Sequence, residues 1–310
     1  MDYRTKVTVL SALLGLLTLT AVLGVVFSGQ SMAQRQAQEA LLPGFQADLV
    51  TSLELPKETV LTRTPAGTTQ AWALKVSGQA YPAAPERVTD YLKALGGLRR
   101  ERLVGRSVAL AEFGLDAPQS VLVKDKTGRV LFEILAGKSD ASATKVYVQL
   151  KGSPEVWETD AALVRPLQVD FNTWADLTLA PGKKPSDLTR LTYTGALEAA
   201  DKTKYAAFDL VKGGTPEKPE WTNQLDKSKP AKAVTWVNQV ASYRFGVFFS
   251  PGEATAIDGS GGKLVLEWGD NTRTEVTLGA RDAQNRYPAT DGQRKFWVYD
   301  WSLSQLLFQP

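Results

Sequence analysis

The sequence predicts an α+β fold dominated by antiparallel sheet. Three observations predict it. Runs rich in Val, Leu, Thr and aromatic residues recur at short intervals, broken by Gly, Pro and Asp. Two of the breaks, Asp125-Lys126-Thr127-Gly128 and Gly269-Asp270-Asn271, have the composition of hairpin turns. Apolar stripes of helical period are few, and they do not alternate with the β-rich runs as a parallel sheet requires.

The folded part begins after Pro43-Gly44, with Asp48 to Leu55 as its first extended run. Thr59 to Thr62 and Trp72 to Val76 follow, separated by Pro56 and by Pro65-Ala66-Gly67. A helix comes next. Pro85 suits its first turn and Gly96-Gly97 its end. Val88, Tyr91, Leu92 and Leu95 fall at i, i+3, i+4 and i+7, one apolar stripe. After the segment EFGLDAP (112–118), Val121 to Val123 and Val130 to Leu135 flank the first hairpin turn, and Gly137 follows. Lys145 to Leu150 pairs with Glu155 to Thr159, and Asp160 caps a short helix with Leu163, Val164 and Leu167 inward.

The same order then recurs. Asp187 to Thr194 and Tyr205 to Val211 are strands, and a helix runs from near Pro230 to before Gly246 with Val234, Val237, Val240 and Ala241 inward. Lys263 to Trp268 and Thr272 to Leu278 flank the second hairpin turn, and Gly279 stands where Gly137 stood. Phe296 to Tyr299 is the last strand, and Asp300 caps Leu303, Leu306 and Leu307. The offsets are nearly constant: 146 from Val88 to Val234, 142 from Gly137 to Gly279, 140 from Trp157 to Trp297. Two tandem related modules are therefore expected, 46–180 and 187–310, each an antiparallel sheet with one main and one short helix. The Pro/Gly/Lys stretch 180–185 joins them.

Val7 to Phe27 is an uncharged run of 21 residues behind Arg4 and Lys6. As a helix it spans about 31 Å, the thickness of a hydrocarbon core. Residues 1–33 thus read as a cytoplasmic tip and single transmembrane anchor, 34–45 as a stalk, and the rest as an ectodomain across the membrane. The alternative is an export signal cut after Ala33, at Ser31-Met32-Ala33.

The chain has neither Cys nor His. Disulfides, a Cys-borne lipid anchor, common zinc sites and His-dependent nucleophile systems are excluded. A net charge of +3 gives no field for nucleic acid. Carboxylate chemistry and Ser-Lys dyads survive. Glu112, Asp116, Glu133, Glu267 and Asp300 are available acids, but no pattern pairs two of them for glycoside hydrolysis. Asp116 suits a turn whose backbone amides its carboxylate accepts. The S-x-x-K stretches Ser142–Lys145 and Ser260–Lys263 lead into strands, where Ser and Lys do not stack. The glycine-rich Asp258 to Gly262 reads as a plain loop. No catalytic, cofactor-binding or metal residue is assigned.

Aromatic residues cluster in two stretches of the second half, 245–249 and 296–301. Alternation puts Trp297, Tyr299 and Trp301 on one face of the last strand, with Phe296 and Val298 on the other. Phe245, Phe248 and Phe249 form a second cluster. The strand is either covered on both faces, or Trp297, Tyr299, Trp301, Phe245, Phe248 and Phe249 make a partner-contact surface.

Leu42 to Leu167 resembles a bacterial family known as domain of unknown function 4340. The marks are LLPGF (41–45), the strand at Trp72, Tyr81-Pro82, the helix 86–95, EFGLDAP, the strand before Gly137, Tyr147-Val148 and Val156-Trp157. EFGLDAP is the most specific. The second half matches more loosely, with at most Phe245-Gly246-Val247 in place of that turn. The resemblance implies an accessory subunit of gliding-motility-type ABC exporters and carries over no functional residue. The expectation is a non-enzymatic subunit anchored in the bacterial inner membrane with a periplasmic ectodomain. Its partners would be an ABC permease and ATPase and a second anchored auxiliary subunit. The alternatives are a lipid or glycan carrier and a carboxylate-based glycan hydrolase.

Overall fold

The computed structural model describes residues 39–65, 72–168, 170–215 and 218–309. Within them the chain is α+β and sheet-rich. Val7–Phe27 and Ala33 lie outside the described residues. Among those described, no helix is long and apolar enough to cross a membrane.

The strands run in chain order from β1 (Ser52–Leu55), β2 (Thr59–Arg63), β3 (Trp72–Val76) and β4 (Gln79–Pro82) into helix α1 (Pro85–Gly97). Then come β5 (Arg102–Arg106), β6 (Gln119–Lys124), β7 (Val130–Ser139), β8 (Lys145–Leu150), β9 (Glu155–Asp160) and the short α2 (Arg165–Gln168). The second half opens with β10 (Leu188–Thr194), the ribbon of β11 (Leu197–Glu198) and β12 (Lys204–Tyr205), β13 (Phe208–Gly214) and β14 (Pro219–Asn223). It continues with α3 (Ala233–Ala241), β15 (Val247–Phe248), β16 (Gly262–Trp268), β17 (Arg273–Leu278), β18 (Arg286–Thr290), β19 (Lys295–Tyr299) and α4 (Leu303–Leu306).

By contacts the described residues form two compact units, one of residues up to Pro56 with 89–168, the other of Lys57–Val88 with residues 170–309. This division is discontinuous, whereas the linker composition places one boundary near 180–187. Backbone pairing explains why residue 170 onward joins 57–88. Asp176 N–H donates to Pro82 and Ala84 N–H to Trp174, each at 2.8 Å. The same segment pairs onward: Phe245 N–H donates to Leu177 and Leu179 N–H to Tyr243.

In the first unit the strand order is β1-β6-β7-β8-β9-β5, antiparallel throughout. Alternation buries Val121 and Val123 of β6 and Val146 and Val148 of β8. The expected α1 stripe is buried, and Tyr91 donates its hydroxyl hydrogen to the Leu163 carbonyl at 3.2 Å. Asp160 caps the following turn by accepting from Ala162 N–H at 2.7 Å.

In the second unit β2, β3 and β4 form an antiparallel meander. The larger sheet runs β14-β13-β10-β16-β17-β18-β19-β15. Tyr193, Phe208, Leu210, Leu264, Leu266, Val276 and Leu278 are buried in its core, and Phe208 packs on Trp236 of α3. Three details differ from expectation. Helix α3 is shorter, and Val234 is 36% exposed. The stripe is Ala233, Trp236, Val237, Val240 and Ala241, from which Val234 is rotated by one residue, about 100°. Asp300 does not cap α4; its carboxylate accepts from Ala200 N–H at 2.9 Å and the Tyr287 hydroxyl at 3.0 Å. Finally, Phe245-Gly246-Val247 leads into β15. The loop that precedes β16, as EFGLDAP precedes β6, is residues 254–261 with Asp258.

Candidate functional site

A candidate binding site of the second unit lies around residues 250–253, just after β15. Glu253 N–H donates to the Ser250 carbonyl, and Gly252 takes φ +80°, a left-handed conformation that a side chain would strain. The Glu253 side chain folds back, accepting from Ser250 N–H at 2.8 Å and from Trp297 Nε1 at 3.2 Å. The turn becomes a ridge with a cleft on each side, of about 380 and 420 Å³.

Aromatic rings make the floor. Tyr81 packs on Phe171 at 4.7 Å and on Phe248 at 5.5 Å between ring centres. Its hydroxyl donates to the Phe249 carbonyl at 3.1 Å. Burial, with Asp170 and Glu253 nearby, pushes this hydroxyl up to about 12, so Tyr81 stays a neutral donor. Phe249 stacks on Trp297 at 4.8 Å, and the Arg286 guanidinium lies 4.1 Å from the Trp297 ring centre. Asn172 fixes β15 by accepting from Phe248 N–H at 2.8 Å.

Arg294 is spent on structure. It donates to the Thr178 carbonyl at 3.0 Å and the Leu179 carbonyl at 2.7 Å, and it pairs with Asp291 at 2.5 Å. Lys295, Gln293 and Gln79 on the same rim are exposed and have no side-chain partner among the described residues.

Of the six aromatics in the candidate contact surface, Phe245, Phe248, Phe249 and Trp297 are buried. Phe245 stacks on Phe296 at 3.8 Å. Phe296 and Val298 are buried too, so β19 is covered on both faces here. Trp301 is 73% exposed and lies on Tyr299, ring centres 5.9 Å apart. The surface reading therefore rests on Trp301 and its half-buried neighbour.

The acids considered for catalysis are not brought together. Glu133 pairs with Lys151 and Glu267 with Arg273, while Asp300 is held as described above. Asp116 is exposed and its carboxylate has no partner among the described residues, contrary to the turn expected there. That role is played by Asp258, which accepts from Ser260 N–H and from Ala280 N–H. Neither Ser-Lys stretch forms a dyad. Ser142 and Ser260 donate to Asp140 and Asp258, while Lys145 and Lys263 pair with Glu101 and Glu275.

Sequence reasoning missed Tyr81 and Glu253, whose roles depend on chain segments about 170 residues apart. The only local signal was Tyr81-Pro82 after a strand.

The fold and this site define a sheet-rich α+β protein with an aromatic-floored, polar-rimmed cleft in its second unit. The chain belongs to the family described as Domain of unknown function (DUF4340), whose model matches residues 72–258, more than half of its length. The match starts at β3 and runs past the 180–187 junction, farther into the second half than the stretch Leu42–Leu167 indicated. No curated protein and no solved structure matches the chain.

Proposed function

We propose that this chain is a non-enzymatic accessory subunit of an ABC-type transport system. Val7–Phe27 anchors it in the inner membrane, and two tandem related modules form its periplasmic ectodomain. The modular reading is supported by strand order. β1-β6-β7-β8-β9-β5 in one unit and β10-β16-β17-β18-β19-β15 in the other are traced alike. In each, the chain lays down one border strand of this run, departs through the main helix, returns at the far edge, and fills the middle with a four-strand meander. A 3₁₀ turn and a short helix follow both meanders.

The non-enzymatic reading is supported by how the acids are spent: Glu133 and Glu267 on cations and Asp300 on Ala200 N–H and the Tyr287 hydroxyl, rather than beside a second carboxylate. The observation that carries the contact function is Trp301: a large indole stacked on Tyr299 yet left exposed. A permease and its ATPase, with a second anchored auxiliary subunit, are the partners. A photo-crosslinking residue in place of Trp301, irradiated in native membranes, tests this. The expected adduct joins the chain to the permease or the auxiliary subunit. Irradiation that yields no adduct to either overturns the contact.

A further inference from the structure

The cleft on the Tyr81 side of the 250–253 ridge has unspent chemistry. Its floor offers little apolar surface, since Tyr81, Phe248 and Phe249 are already packed against each other or their neighbours and buried. An acyl chain would gain little there. Its rim is different. Gln79 and Gln293 each present an amide that donates and accepts, Ser250 presents a hydroxyl, and none of these three side chains has a partner among the described residues. The Glu253 oxygens, each accepting one bond, have further lone pairs. Of the two cations on the rim, Arg294 is committed to the Thr178 and Leu179 carbonyls, which leaves Lys295.

We propose that this cleft binds a saccharide bearing a carboxylate, with Lys295 on the acid group and Gln79, Gln293 and Ser250 on ring hydroxyls. The size agrees: about 380 Å³ holds one or two sugar rings. The chemistry agrees as well. Paired amide donors and acceptors match vicinal hydroxyls, and a single free ammonium matches a single acid. The site does not depend on the accessory-subunit reading, because it uses only groups within the second unit.

The test is isothermal titration of the full chain in detergent with digalacturonic acid, its neutral counterpart galactobiose, and acetate. The acidic disaccharide should bind, and the neutral one about tenfold more weakly, the worth of one charged hydrogen bond. Lys295→Ala should abolish that preference, and Gln293→Ala should weaken both sugars. Both positions are exposed, so the unfolding temperature should not move. No heat of binding from digalacturonic acid overturns the proposal. Equal binding of acetate does so too, as does a preference that survives Lys295→Ala.

Discussion

Gly137 of β7 lies against the backbone of Phe113, so closely that a Cβ at Gly137 would overlap the Phe113 carbonyl oxygen and sit 3.1 Å from Leu115 Cγ. EFGLDAP is thus seated on a glycine that leaves no room for a methyl group. Gly137→Ala must push the loop off its strand and should cost about 1–3 kcal/mol in urea unfolding. Gly97→Ala, at the end of α1 with nothing within 4 Å of the new atom, should be neutral or slightly stabilising. Equal stabilities of the two variants would refute this seating.

Trp297 and Trp301 should separate stability from contact. Trp297 is buried under Phe249 and Arg286, and Trp297→Ala should cost about 3–5 kcal/mol. Trp301→Ala removes an exposed ring and should change stability by no more than about 0.5 kcal/mol. Thermal melts of both variants provide the check.

Arg294 ties the 178–180 segment to the β18–β19 hairpin through two carbonyls and Asp291. Arg294→Ala should destabilise by about 2–3 kcal/mol, since it removes charged hydrogen bonds from a largely covered site. Lysine should not rescue it, because one ammonium cannot reproduce the planar fork. A lysine variant as stable as the parent would contradict this.

Stability should fall at both ends of the pH scale. Lys183, with Thr272, holds Asp270 down to about 2 from its ordinary 3.8. A depressed carboxylate contributes above its unfolded value, and the contribution is lost as pH drops toward the folded one. The acid limb therefore lies below about pH 4, and it should be shallower in Asp270→Asn. Burial raises Tyr193 and Tyr243 to about 12 from 10. Their contribution is complete below pH 10 and disappears as pH climbs toward 12, giving an alkaline limb that Tyr193→Phe should flatten. Urea midpoints across pH read both limbs; variant limbs that superimpose on the parent's would refute the assignment.

Much of the sheet was legible in the sequence because its signals are local. The Asp125 turn accepts from Thr127 N–H and Arg129 N–H, as its composition implies. The α1 stripe follows from spacing alone. What escaped has physical reasons. β18 contains Pro288, which lacks an N–H and reads against a strand, yet Pro288 pairs opposite Trp297. β5 is an edge strand with arginines at both ends, exposed and without apolar alternation. The aromatic cluster was visible, but its burial was not, because Tyr81 comes to it from a distant part of the chain, 168 residues before Phe249. The cleft was invisible for the same reason.

The central claim is that this chain works as an anchored subunit of a transporter. The most direct measurement is affinity purification of the full-length protein from its native membrane in gentle detergent, with mass spectrometry of the eluate. The account predicts an uncut chain with an ABC permease and ATPase at near-equal amounts. A chain recovered soluble and cut after Ala33, or one that elutes alone, would contradict it.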